Sequence, residues 1–155
     1  MTKLRRFKVW DPGVRLFHWL NALLVLGLMI IGILILNAKT LGIAGDAKIL
    51  LKTIHSYTGY AFAINLGWRL IWAFIGNHYA RWRQFLPIGS NYLHSFKSYC
   101  ASLRSTNHQR YLGHNPIARI IISIFFLLLT SQAITGLIIA GTDLYLPPFG
   151  SYFAE

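Results

Sequence analysis

At 155 residues, 55% of them hydrophobic and with a formal net charge of +11, the chain has the size of one small domain, yet its apolar residues are not spread as a soluble core spreads them. They gather into three blocks of about 20 residues, the length a helix needs to cross the hydrocarbon of a bilayer. That pattern excludes an ordinary soluble domain and makes the chain an integral membrane protein.

In chain order, Met1–Val9 is a basic lead-in, and Trp10–Gly13 (WDPG) reads as a turn. The first apolar block, FHWLNALLVLGLMIIGILIL, predicts a spanning helix over about residues 15–37. It is too long for the h-region of a signal peptide, and no small-x-small cleavage site follows it, so it is expected to be retained. TLGIAGDAK is a short, Gly-containing loop. A second helix is predicted over residues 49–76, with Gly76 as its C-cap. Residues 77–115 form a long loop, in which YLHSFKSYCASLR alternates well enough for an interfacial amphipathic helix. Asn115-Pro116, a capping residue followed by proline, opens a third helix over residues 116–141, and LYLPPFG ends it in a turn. The expected fold is therefore all-α, a single membrane domain over 1–155 with three transmembrane helices.

Charge sets the expected orientation. Lys3, Arg5, Arg6, Lys8 and Arg15 precede the first block, and Arg81, Arg83, Lys97, Arg104 and Arg110 lie between the second and third. Only Lys39, Lys48 and Lys52 lie between the first and second, so the positive-inside rule puts the N-terminus and the 77–115 loop in the cytoplasm. Because the excess charge is explained by topology, a nucleic-acid partner is not expected. The single cysteine, Cys100, falls in that inner loop and cannot form an internal disulfide.

Topology also sorts the six histidines. His78, His94 and His108 fall in the inner loop and read as solvated or interfacial side chains. His114 stands at the mouth of the third helix, where it either meets a cofactor edge or caps the helix. His18 and His55 lie inside or at the edge of spanning helices, His18 near the inner face and His55 near the outer one. A lone imidazole there can simply hydrogen-bond a neighbouring helix. Two at opposite depths point further, to axial ligands of haem iron. A macrocycle beside a helix needs small residues one turn along from its ligand, and Ala22 and Gly59 stand at those positions. From Ala22 the stripe continues through Val25, Met29 and Gly32. Arg69, fourteen residues after His55 and about 21 Å along the helix, shares the face of His55 at the depth of His18. It either neutralises the propionates of a cofactor held by His18 or snorkels to the interface. No CxxCH is present, so no c-type covalent attachment is expected.

VWDPGVRLFHWLNALLV, IHSYTGYAFAINLGWRLIWAFIG, ARWRQFLP and YLGHNPIARIIISIFFLLLTSQAITGL occur here in an order that resembles bacterial cytochrome b-561, the family that includes the b-type cytochrome subunit of nickel–iron hydrogenases. The resemblance covers nearly the whole chain. It implies a four-helix membrane bundle with two haems b, one toward each face, and electron passage between a quinone pool and a hydrogenase or c-type cytochrome. It makes His18 and His55 the haem-iron ligands of the first and second helices. Arg15 and Arg69 become candidates for propionate contact, and His114 and Arg119 for contact with cofactor or quinone. In the family the opposing ligands come from a fourth helix. The sequence reaches Glu155 before such a helix, so those ligands are expected from a partner, from a longer chain, or not at all.

The expectation is a haem b electron-transfer subunit of the bacterial inner membrane, multi-pass, rather than a stand-alone enzyme. Its expected partners are the lipid bilayer, quinone and a redox protein or neighbouring subunit, with room for a homo-oligomer. Two rivals stand beside it. One is a membrane oxidase for superoxide or quinol, which would want cations on an outer face that offers only Lys39, Lys48 and Lys52. The other is a haem-free anchor.

Overall fold

The computed structural model describes residues 12–104, 111 and 113–153, and among these every regular element is helical. The basic lead-in, Trp10, His108 and Arg110 lie outside the described residues. Helix α1 runs Pro12–Leu36 and α2 Gly45–Ile75. A 3-10 turn at His78–Ala80 leads to α3 (Trp82–Phe85), α4 (Tyr92–Ser102), α5 (Pro116–Leu144) and α6 (Gly150–Phe153).

The boundaries differ from the sequence expectation in three informative places. The Pro-Gly of WDPG belongs to α1, because proline lacks the amide hydrogen that a first helical residue has no use for. Helix α2 begins about a turn early. Gly45, at a φ of +55°, takes the left-handed backbone that turns the chain into it, and Asp46 complements the N-terminal dipole. Lys48 is thereby a helical residue. Helix α5 runs a turn longer than expected, which carries Asp143 onto it. Its start is as expected: the Asn115 side chain accepts from the Ala118 amide at 2.7 Å. The end of α2 is expected too. Gly76 follows Ile75, and a β-carbon there would come within 2.6 Å of the Trp72 carbonyl.

The residues fall into two compact units. One holds, of the described residues, 12–15 and those within 69–127. Its centre is Phe85, 1% exposed, with Trp82 and Phe126 at ring-centroid distances of 5.1 and 5.4 Å. Ser123 Oγ donates to the Phe85 carbonyl, and Tyr92 donates to the Pro116 carbonyl, which ties α3 and α4 to the start of α5.

The other unit holds residues 16–68 and 128–153, that is, most of α1 and α2 with the second half of α5. Ala38, Phe62, Leu66 and Ala140 are its buried apolar residues, and the Tyr60 hydroxyl donates to the Pro147 carbonyl. Helix α1 has no buried residue; Leu16, Leu23, Leu26, Ile30 and Ile33 are all more than half exposed. An aqueous surface would not tolerate that greasy stripe, whereas lipid covers it at no cost. Helices α1 and α5 are each long and apolar enough to cross a membrane. Helix α2, at 31 residues, has the length to do so, but it carries Asp46, Lys48, Lys52 and Arg69.

Candidate functional site

Within the second unit α1, α2 and α5 enclose a cavity of about 460 Å³. Helix α1 contributes Val25, Leu28, Met29, Gly32 and Ile35, a one-face spacing. Helix α2 contributes Lys52, His55, Ser56, Gly59 and Phe62, and α5 contributes Gln132, Ala133, Gly136, Ala140 and Asp143 among others. Walls that are mostly apolar, with a few convergent polar groups, are the usual make-up of a small-molecule or cofactor site.

His55 is the one imidazole among these lining residues. Its ring packs against α1 where a β-carbon on Gly32 would lie 3.5 Å from Cε1. Its Nδ1 is buried without a hydrogen-bond partner. A buried polar nitrogen left so costs roughly 1–3 kcal/mol, which singles this group out from the satisfied polar atoms around it. Gly59 and Gly136 do the opposite of close packing. A β-carbon at either would meet nothing within 4 Å, so both leave room in the cavity wall.

His18 is placed differently. It is exposed, with its ring edge-on to Trp19 at 5.9 Å, and Ala22 beside it is exposed too. It belongs to the same face of α1 as the cavity, because the stripe that starts at His18 and Ala22 runs on into the cavity-lining Val25, Met29 and Gly32. Gly32 is fourteen residues from His18, so the two imidazoles stand about 21 Å apart along α1.

Arg69, His114 and Arg119 are neighbours in the other unit. Arg69 is 6% exposed, so it does not reach out to solvent. Its guanidinium donates to the Ala80 carbonyl at 3.3 Å and stands over the rings of Phe85 and Phe126, at 5.2 and 5.5 Å. Arg119 donates to the Arg83 carbonyl at 2.7 Å, lies over the Tyr92 ring, and keeps its Nε buried and unpartnered. Burial holds His114 below the usual imidazole range, and the positive charges of Arg69 and Arg119 push it further the same way. Arg15 is exposed.

The structure thus gathers His55 with Gly59 and the α1 stripe, and gathers Arg69 with His114 and Arg119. Sequence reading missed Lys52 and Asp143 as a pair, joined at 2.7 Å beside the cavity. The signal was available: Lys52 is three residues before His55, and Asp143 is one of only four acidic residues in the chain.

Helices that expose apolar stripes and enclose a histidine-bearing apolar cavity define a membrane protein of the helical, cofactor-binding class. The chain matches the family described as "Prokaryotic cytochrome b561" over residues 9–154, and it belongs to that family. It is 32% identical to the "Probable Ni/Fe-hydrogenase B-type cytochrome subunit" of Rhizobium leguminosarum bv. viciae, over 83% of this chain and 57% of that protein. The protein of the same name in Cupriavidus necator is 33% identical over 86% of this chain and 58% of its own length. The "Probable Ni/Fe-hydrogenase 1 B-type cytochrome subunit" of Escherichia coli K12 is 33% identical over 83% and 57%. The chain therefore spans about half the length of the curated relatives it matches. No solved structure matches it.

Proposed function

We propose that the chain is a haem b-binding electron-transfer subunit of the bacterial inner membrane, passing electrons between the quinone pool and a redox protein such as a hydrogenase. The observation that carries this reading is the His55 imidazole, its Nδ1 buried and unpartnered, in the wall of an apolar cavity. These residues fit haem: the imidazole is an iron ligand, Gly59 and Gly136 leave room for the flat face of a macrocycle, and the apolar wall keeps water from it. Bound haem would supply one-electron exchange at its iron.

His55 holds one haem and His18 the other, about 21 Å away along α1, with Ala22 and Gly59 as the small residues beside each ligand. Helix α2 spans the membrane with α1 and α5, the N-terminus and the 77–115 segment being cytoplasmic. Its 31 residues cover about 46 Å, more than the hydrocarbon core requires. Arg15, one turn before His18 on α1, serves a propionate there, while His114 and Arg119 face a quinone or cofactor edge. The unpartnered Nε of Arg119 supports that last assignment.

A superoxide oxidase would need a cationic outer mouth. Lys52 is paired with Asp143, which leaves little net charge at the rim of the cavity and favours the electron-transfer reading. The deciding experiment is the haem-to-protein ratio of the purified chain with a reduced-minus-oxidised spectrum. Stoichiometric b-type haem is expected, and a colourless, folded protein overturns the reading in favour of an anchor.

A further inference from the structure

The cavity has a polar side as well as an imidazole. Lys52 and Asp143 both line it, and they are joined across α2 and α5 by a 2.7 Å ion pair. Their side chains are 35% and 46% exposed, so the pair sits at the rim, between cavity and surroundings. Lys52 precedes His55 by three residues, which places it on the same face of α2 and about 4.5 Å further toward the N-terminal end of that helix.

From this arrangement we infer that Lys52 is a recognition point for a carboxylate on the cavity's ligand, so that a flat, apolar molecule lies against His55 with its anionic edge turned to the rim. An ammonium has three N–H donors, and Asp143 accepts from Lys52 through one oxygen, so the lysine has donors left to give. Asp143 also steadies a four-carbon stem that would otherwise lose rotamer entropy when it met a ligand. Because the pair is close to neutral as a unit, the rim does not gather anions from a distance. It discriminates at hydrogen-bond range, after the apolar body has entered. This deepens the haem reading, since it adds the residue that would orient the macrocycle.

The test is an equilibrium titration of the full chain in detergent, in a His18→Ala background so that one site is followed. The two probes are ferric protoporphyrin IX and its dimethyl ester, read by Soret absorbance. The unaltered rim is expected to bind the dicarboxylate about tenfold more tightly than the diester, a difference of ~1.4 kcal/mol. Lys52→Gln should bring the two affinities within twofold of each other by weakening the dicarboxylate alone. Lys52→Arg should keep most of the preference. A Lys52→Gln protein that retains the tenfold preference overturns the inference, as does an unaltered rim that binds both probes equally. If Lys52→Gln and Lys52→Arg both lose the two probes together, Lys52 only supports the fold, and the inference fails while the haem reading stands. If neither probe binds the unaltered rim, the haem reading itself falls and takes this inference with it.

Discussion

His18 and His55 look alike in the sequence, each a polar residue set into an apolar run, and the structure separates them. His55 lines a cavity formed by three helices, has an unpartnered buried nitrogen and faces walls opened by two glycines. His18 stands exposed on α1 beside Trp19. A histidine set in an apolar run is a local feature that the sequence shows, but a cavity is built only where other elements close around it. The cavity around His55 closes within this chain's own second unit, whereas His18 stands on an exposed face of α1.

The sharpest way to break that contrast is to remove each imidazole. We expect His55→Ala to abolish the more tightly held haem, lowering affinity in that cavity at least a hundredfold. His18→Ala should leave it nearly untouched, as measured by haem content after gel filtration. Equal losses from the two variants would mean that the sites are equally formed.

Filling the cavity tests the enclosure itself. Gly59→Leu or Gly136→Leu puts a large side chain where a β-carbon now meets nothing, so the fold should persist while haem affinity falls about tenfold or more. Gly136→Ala should cost much less. Normal haem content in both leucine variants would show that the macrocycle lies elsewhere.

Coordination gives a spectroscopic version of the same test. Since His55 is the one imidazole in the cavity wall, haem bound by the isolated chain should be high-spin and should shift on adding imidazole or carbon monoxide. A low-spin spectrum that ignores both would mean that a second ligand already reaches the iron.

The other unit should respond in stability rather than in haem content. Arg69→Met removes a guanidinium from the Ala80 carbonyl and two aromatic faces, at an expected cost of roughly 1–3 kcal/mol in denaturant unfolding. His114 supplies a gentler effect with a definite sign. Its folded-state pKa lies below the usual 6.5, so the unfolded chain binds the proton more readily. Its contribution is therefore complete above about pH 6.5 and is lost as the pH falls toward and through the folded value. His114→Gln should flatten that part of the stability profile, and an unchanged slope would exonerate the residue.

Much of this architecture was legible in the amino-acid order because lipid-facing helices advertise themselves as long apolar runs, and Asn115-Pro116 and Gly76 mark ends by local chemistry. Two kinds of information were not local. The extra turn that places Asp143 on α5 depends on how the ends of α2 and α5 meet, and its ion pair with Lys52 links residues 91 positions apart. The face of α2 that carries Arg69 can be counted, but its surroundings are Phe85, Phe126 and the Ala80 carbonyl, two of them from the segment after α2. The face of a helix can be counted from its sequence, but the neighbour across it cannot.

The contact between Gly32 and the His55 ring also indexes how α1 is set against α2. One turn to either side of Gly32 along the same stripe stand Leu28 and Leu36, with Met29 and Ile35 beside them. Sliding α1 by a turn in either direction would drive one of these bulky side chains into the space of the imidazole. The 3.5 Å approach at Gly32 is ordinary van der Waals contact and would accept an alanine, but nothing much larger. A single small residue thus acts as a detent for the sliding helix: α1 rests in one longitudinal position, and the distance between the two histidines is fixed when the helices pair.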